Sequence, residues 1–351
     1  MTGILSMLEP KLLKMLGVVA GGAEPKSPYE ACPPDSSHAS AWHPHQKGLK
    51  PPRSNPINQM SAAASEMNAL QSPQTKQATQ GQPQANANGN LFEFSTIQAS
   101  VIKSLIEALK EHLPEANFEF DSTGIRIVDV DESHTVLTYL RLYAERFEYA
   151  YCPVRYILGI NMMYLFKLIK TISNTSTLTL FLPANNPNKL GIRAEDAEKG
   201  MTQTWMMKLF DTNVLNIELP NISFSSIIHM PSCSFQKICR DFSLADKLEI
   251  RSSSTDLIFR CLGEFVDGET VVLNRANEAQ SGVRVQNTGV NSEIVQGIFE
   301  LKYLGFFTKC TSLCPTVEIF LKNDCPLILR YYVGNLGEVR FVLAQLKMRP
   351  K

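Results

Sequence analysis

The stretch FDTNVLNIELPNISF, residues 210–224, lies almost midway between Leu91 and Lys351. It contains one proline and no glycine, and its apolar residues follow neither a helical period nor a strand alternation. The flanking segments, 91–209 and 225–345, have nearly equal lengths of 119 and 121 residues. A linker that joins two similar halves and carries apolar residues of its own predicts both a hinge and a docking strip.

The distribution of charge limits the functions that the chain can have. Its 34 Lys and Arg balance its 34 Asp and Glu, which argues against a wholly basic nucleic-acid-binding surface. Residues 1–90 have a net charge of +2 and residues 91–351 a net charge of −2. Any contact with nucleic acid must therefore come from cations that are concentrated on one face.

The first 90 residues differ in texture from the rest. The run ILSMLEPKLLKMLGVVA, which begins at Ile4, is too short for a membrane span and is interrupted by Pro10, so a short amphipathic helix is the favoured interpretation. Residues 21–90 are rich in Pro, Ser, Ala, Asn and Gln and contain few large apolar residues. Such a composition cannot offset the entropy of ordering, and residues 1–90 are therefore predicted to be a disordered extension.

The remainder of the chain reads as an α+β fold with an internal repeat. Helical periodicity predicts four helices, over residues 98–112, 161–172, 232–243 and 300–310, and strand-like runs lie between them. Each half has the order strand, helix, strands, helix, strands, so each repeat resembles two smaller βαβ-like units. The predicted organisation is a first domain at 91–210, a connector at 211–224 and a second domain at 225–351.

Each predicted helix carries two cations opposite its apolar stripe. Lys103 and Lys110, for example, are seven residues apart and lie roughly 20° apart around the helix axis. One such helix is ordinary amphipathicity, but four of four favour a surface that contacts phosphates without reading bases. No aromatic platform is expected between these cations, which disfavours single-strand recognition. The candidate DNA-binding residues are Lys103, Lys110, Lys167, Lys170, Lys237, Arg240, Lys302 and Lys309.

The sequence offers no sign of catalysis, metal binding or a bound cofactor. Nucleotide-binding, metalloprotease and nucleophile-elbow motifs are absent, and the eight cysteines form no CxxC pair. His38, His43 and His45 lie near Cys32, but their spacing matches no zinc motif. The protein is therefore expected to be a binding protein and not an enzyme, with its thiols free in a reducing compartment.

Five stretches in their order and separation resemble the eukaryotic-type DNA sliding clamp, the proliferating cell nuclear antigen family. They are SVIKSLIEALKEHL, DESHTVLTYLRL, FQKICRDFS, LKYLGFFTKCTSL and GEVRFVLA, and the resemblance covers residues 91 to about 346. It implies two domains of βαβββ-type repeats, with three subunits joined head to tail into a ring. The cation-bearing helices would line the hole around duplex DNA, and the sheets would form the outer wall.

The resemblance also implies residues for two further surfaces. A pocket for partner proteins would lie under the connector and would be formed by Val130, His134, Thr135, Ile217, Leu219, Val342, Leu343 and Ala344. Subunits would pair through the strands near 204–209 and 256–262, with contacts from Trp205, Met206, Met207, Ile258 and Arg260. The chain departs from the family's pattern at Ser104, Ser254 and Gln345, and in its N-terminal extension.

The function expected from this resemblance is that of a processivity clamp. A homotrimeric ring would slide on duplex DNA and tether polymerase and other replication or repair proteins, which would bind through short hydrophobic motifs. A separate ATP-dependent loader would open the ring, no membrane would be involved, and the location would be the nucleus or a viral replication compartment. The alternatives are a subunit of a checkpoint-type hetero-trimeric clamp and a scaffold that binds clamp partners without encircling DNA.

Overall fold

The computed structural model describes residues 84–211, 223–253, 256–264, 266–273, 282–287 and 294–346. Expectations for residues 1–83, for the connector residues Ile217 and Leu219, and for Ser254 lie outside the described residues. The two predicted domains belong to the same structural unit.

Four α-helices lie within these ranges, at the positions that the sequence predicts. Each helix ends two or three residues earlier than predicted. Helix α4 is followed by a 3-10 turn at Thr308–Ser312. The start of α2 is fixed by Asn161, whose Oδ1 accepts a hydrogen bond from the backbone N of Tyr164 at 3.1 Å. The helices are α1 (Ala99–Leu109), α2 (Met162–Ile169), α3 (Ser232–Asp241) and α4 (Leu301–Phe307).

Strands make up most of the remaining described chain. The run GIRIVDV is a strand with the predicted bounds, as are TLTLFLP, DLIFRCL and LILRYYV. The strands are β1 (Asn90–Thr96), β2 (Glu115–Asp121), β3 (Gly124–Val130), β4 (Val136–Tyr143), β5 (Tyr149–Tyr151), β6 (Tyr156–Asn161), β7 (Thr177–Pro183), β8 (Lys189–Asp196), β9 (Met201–Lys208), β10 (Ser226–Pro231), β11 (Lys247–Ser252), β12 (Asp256–Leu262), β13 (Asp267–Leu273), β14 (Arg284–Asn287), β15 (Val295–Glu300), β16 (Thr316–Leu321), β17 (Leu327–Val333) and β18 (Gly337–Leu343).

Two strands, β6 and β15, are not predicted from the sequence. Each runs directly into a helix without an intervening turn, and each contains a glycine, which weakens the strand signal. Both glycines permit a close approach. A Cβ at Gly159 would lie 2.5 Å from the carbonyl oxygen of Phe210, and one at Gly297 would lie 2.5 Å from the ring of Phe299.

With these two strands, the described residues contain four β-α-β-β-β units and the two additional short strands β5 and β14, and the α+β class is confirmed. The described strands form three antiparallel sheets, ordered β5-β1-β7-β8-β9, β14-β10-β16-β17-β18-β4-β3-β2-β6 and β13-β12-β11-β15. The nine-stranded sheet joins the two halves, because β18 pairs with β4 from Gly337↔Leu142 to Leu343↔Val136.

The helices form one row beside the sheets. Helix α1 contacts both α2 and α4, and α4 contacts α3, so the order along the row is α2-α1-α4-α3. Their apolar sides are buried, as Leu105 and Ile106 of α1 and Leu304 and Phe307 of α4 show. The opposite sides, which carry the cations, are thereby left to face away from the core.

The last residues of the N-terminal extension are ordered, so the prediction of disorder is wrong for residues 84–90. The side chains of Asn86, Asn88 and Asn90, named here the asparagine anchor, donate hydrogen bonds to Oε2 of buried Glu93 at 2.8, 3.0 and 2.9 Å. Arg193 donates to the other carboxylate oxygen at 2.9 Å. The extension therefore joins the first sheet at a fixed point on β1.

We expect Glu93 to make the stability of the fold pH-dependent. Burial alone raises its pKa, but the bonds from the asparagine anchor and the charge of Arg193 outweigh burial and hold the pKa below its ordinary value. A depressed carboxylate pKa stabilises the fold above the unfolded-state pKa, and this contribution is lost as the pH falls through the folded-state pKa. Thermal unfolding from about pH 6 to about pH 3 should therefore show a steeper loss of stability in the wild type than in Glu93→Gln.

Two truncations provide the matched control. A chain that begins at Gln84 keeps the asparagine anchor and should melt like the full chain. A chain that begins at Leu91 leaves the buried Glu93 carboxylate without its three amide donors. It should melt at a lower temperature, because its free energy of unfolding should be lower by about 1–3 kcal/mol. Equal melting of the two truncations would contradict the assignment of the anchor.

Candidate nucleic-acid interface

Four of the eight predicted cations project from the two ends of the helix row. Lys167 and Lys170 on α2, and Lys237 and Arg240 on α3, are exposed. Within the described residues none of the four forms an ion pair with a carboxylate. Their charge is therefore available to a ligand that crosses the row.

The other four cations are held by contacts within the chain. The amine of Lys103 donates to the carbonyl oxygen of Ile172 and, at 2.9 Å, to Oδ1 of Asn174, just beyond α2. Lys302 forms an ion pair with Glu300 at 3.0 Å but remains largely exposed. The charges of Lys103 and Lys302 are thus partly satisfied by internal partners, unlike those of the first four cations. Helical periodicity does not reveal this difference.

Lys110 and Lys309 meet at the junction of the two halves. Glu111 pairs with Lys309 and lies 3.6 Å from Lys110, so one carboxylate bridges α1 and the turn after α4. The hydrogen bond and charge of Lys309 lower the pKa of Glu111. We infer that both lysines help to fix the two domains to each other, in addition to any role in binding DNA.

The same junction contains a buried histidine. The His112 ring packs edge-on against Phe307 and Phe341, and its Nε2 lies 3.0 Å from the Thr138 hydroxyl. Burial lowers the pKa of His112 to about 4. The ring is therefore neutral at neutral pH and acts as part of the apolar contact between the halves.

Aromatic rings accompany several of these cations. The Lys110 amine lies 4.5 Å from the centroid of the Phe166 ring, and the Lys302 amine lies 4.5 Å from that of Tyr303. Lys167 lies 5.1 Å from the Tyr164 ring. Such contacts attract the ammonium groups to the ring faces and restrict where their charges lie.

The predicted partner surface is partly assembled in the described residues. Asp131 accepts hydrogen bonds from the backbone N of Thr135 and Val136 at 2.8 and 2.7 Å, which shapes the loop that presents His134. The N of Ala344 donates to the carbonyl oxygen of Thr135 at 3.1 Å, and this bond joins the loop to the C-terminal segment.

The exposure of the predicted pocket residues separates them into two groups. Val130, His134, Thr135 and Ala344 are partly exposed, whereas Val342 and Leu343 are buried. Sequence reasoning did not identify Tyr303, whose hydroxyl lies 2.5 Å from that of Ser133 and connects α4 to the loop. No pattern in the sequence indicates that contact, because 170 residues separate the two side chains.

Among the described strands, β9 is an edge strand of its sheet. It lies at the end of its sheet, and the bond from Leu209 N to Asn188 O, at 3.3 Å, continues the β8–β9 register. Alternate residues, including Thr204 and Met206, therefore direct their backbone N–H groups away from β8. Of the predicted contact residues on this strand, Met206 is 41% exposed, Trp205 is half-buried and Met207 is buried.

The prediction that the strand at 256–262 is an edge for subunit pairing is wrong. This strand is β12, and it pairs with β11 on one side and β13 on the other, so it has no unpaired backbone for another subunit. The end of the sheet is β13, where Val271 and Leu273 are 50% and 58% exposed. Arg260 points from β12 to Glu269 on β13, with 2.5 Å between Nη2 and Oε2, and Ile258 faces Val271 in the strand register.

Metal-ligating clusters and membrane-spanning helices are both lacking in the described part of the chain. No cluster of three or more His, Cys, Asp or Glu side chains suits a metal ion there. Within the same residues, no helix has the length and apolar character required to cross a membrane.

Comparison with known proteins relates this architecture to one family. The model of the proliferating cell nuclear antigen N-terminal domain matches residues 91–217, and that of the C-terminal domain matches residues 218–346. A relative described as "Probable DNA polymerase sliding clamp 1", from Paramecium bursaria Chlorella virus 1, is 34% identical over 261 residues, which cover 73% of this chain and 97% of the relative.

Proposed function

The chain belongs to the proliferating cell nuclear antigen family of DNA sliding clamps, and we propose that three copies close into a ring that encircles duplex DNA. The observation that supports this proposal best is the single row of four helices, with exposed cations at both ends and sheets on the other side. Weak contacts between cations and phosphates would leave such a ring mobile along DNA, and the closed shape would prevent its loss.

The subunit contact would join β9 of one copy to β13 of the next. The two edges differ in sequence and lie in different halves, so they can form a head-to-tail contact. A head-to-tail contact generates a ring when the rotation between copies closes. Trp205, Met206 and Met207 would contribute from β9, and Arg260 would support β13 through Glu269.

Partner proteins would dock where the 131–135 loop meets the C-terminal segment. Val130, His134, Thr135 and Ala344 offer a partly apolar, accessible surface supported by buried Val342 and Leu343. A short hydrophobic motif from a polymerase or a repair enzyme would bind there and would also contact Ile217 and Leu219 of the connector. Tethering would raise the effective concentration of the enzyme at its template.

Two features of cellular context follow from the same proposal. The chain would be non-catalytic, so an ATP-dependent loader would be needed to place a closed ring on DNA without ends. Since a viral sliding clamp is 34% identical to this chain, a viral replication compartment is proposed alongside the nucleus as the site of action.

Solution mass and polymerase assays test this function together. The purified chain of 39.2 kDa should run in light scattering at three times that mass, and it should lengthen polymerase products on a linear primed template with free ends. A monomer that binds partner peptides would favour the scaffold alternative. A chain that forms a trimer only with other clamp subunits would favour the checkpoint alternative.

A further inference from the structure

The second half of the chain contains an open groove with several basic side chains. It lies between α3 and α4 and has a volume of about 770 Å³. Four cations line it, namely Arg240, Lys247, Lys302 and Lys309. The carboxylates on its wall are those of Asp246 and Glu300, so the groove has an excess of positive charge.

Lys247 adds a cation that does not lie on a helix. It is the first residue of β11, it is exposed, and within the described part of the chain it forms no ion pair. Lys302 and Lys309, in contrast, are paired with Glu300 and Glu111. Lys247 and Arg240 are therefore the groove's two unpaired cations among the residues described.

A glycine in α4 leaves the wall of the groove open. Gly305 lies inside the helix, where glycine is less favourable than alanine, and a Cβ built there would meet no atom within 4 Å. No internal contact therefore requires a glycine at this position. A glycine with open space in front of it is typical of a place where a ligand approaches the backbone closely.

The first half of the chain shows what fills the corresponding space. Gly305 is the fifth residue of α4, and the fifth residue of α2 is Phe166. The Phe166 ring lies against α1, with its centroid 4.5 Å from the amine of Lys110. The repeat thus has an aromatic ring between one pair of helices and an open, basic groove between the other.

We propose that the groove between α3 and α4 holds the sugar-phosphate backbone of one DNA strand. Lys247 and Arg240 would contact neighbouring phosphates, and Gly305 would let the strand approach α4. This inference rests on the proposed clamp function, and it adds Lys247 to the phosphate contacts of the second domain. Charge complementarity and the unfilled glycine position both point to a polyanion with a narrow backbone.

The test compares DNA affinity with stability in three variants. Lys247→Gln should weaken binding of a short fluorescent duplex by about threefold to tenfold at 50 mM salt and reduce the slope of log K against log salt by about 1. Gly305→Phe, which installs the residue of the first half, should weaken binding similarly without lowering the melting temperature. Lys189→Gln, at the first residue of β8, is the matched control and should leave both quantities unchanged.

Each outcome separates this inference from the clamp function. If Lys247→Gln keeps the wild-type affinity and salt slope while Lys167→Gln with Lys170→Gln weakens binding, the groove assignment is overturned and the clamp function stands. If none of these cation variants changes DNA binding, the helix row does not contact DNA at all. Should Gly305→Phe unfold, Gly305→Gln provides the same measurement with a flexible side chain, and unchanged affinity there would also refute the groove.

Discussion

Reversing the charge of the four helix cations that are exposed and, within the described residues, not paired with a carboxylate is expected to abolish polymerase stimulation on long templates while the assembly keeps its mass. The changes are Lys167→Glu, Lys170→Glu, Lys237→Glu and Arg240→Glu. Each of these side chains is exposed and, within the described residues, lacks a carboxylate partner. A three-chain ring would lose about twelve phosphate contacts, so its affinity for duplex DNA should fall by at least about 100-fold at about 0.1 M salt.

The control for this variant reverses charge elsewhere on the chain. Lys189→Glu changes a cation at the start of β8, away from the helix row, that forms no ion pair within the described residues. Stimulation should persist in this control, and light scattering should give the same mass for all three proteins. Normal stimulation by the fourfold variant would show that the helix row is not the DNA surface.

Placing a carboxylate on the β13 edge is expected to dissociate the ring into single chains. Val271 is 50% exposed at the end of its sheet, and the neighbouring Asp267 and Glu269 already make this edge acidic. In Val271→Glu the added charge would be buried without a partner against β9 of the next copy, at a cost of roughly 3–5 kcal/mol for each contact. The mass should fall to that of one chain, and polymerase stimulation should be lost with it.

A second edge strand offers the matched control for this change. Tyr149 lies on β5, the opposite end of the sheet that contains β9, and is 44% exposed. Tyr149→Glu introduces the same charge at an edge with no proposed subunit contact, so the trimer mass should be retained. A trimer in Val271→Glu, or a monomer in Tyr149→Glu, would place the subunit contact on the wrong strands.

The local structure of this chain could be predicted from its sequence because the periodic patterns are strong. Alternation in GIRIVDV gave the bounds of β3, and the 3.6-residue pattern of Val101 to Leu109 indicated α1. Two strands were missed where a strand passes into a helix without a turn and a glycine interrupts the pattern. Gly159 and Gly297 allow close contacts with Phe210 and Phe299. The contact between Gly159 and Phe210 is not local in sequence, so the strand pattern cannot indicate it.

The remaining differences between the sequence-based expectations and the structure arise from contacts between elements that are distant in sequence. The strand at 256–262 and β13 both read as strands, and only the sheet order shows that β13 is the edge. Periodicity placed Lys103 and Lys309 on the polar sides of their helices, but their partners Asn174 and Glu111 come from other elements. Lys247 begins a strand, so helical periodicity does not indicate it.

The proposed ring holds DNA by enclosing it, and blocking the ends of the DNA tests this property. In the presence of free protein, a linear duplex attached to a bead at one end should retain the clamp when its other end is free, because rings thread onto the free end and replace those that slide off. Blocking the free end with a bulky protein before the clamp is added should remove that retention, without any change in DNA length or sequence. Equal retention on open and blocked duplexes at the same salt concentration would contradict encirclement and indicate binding to the side of the helix.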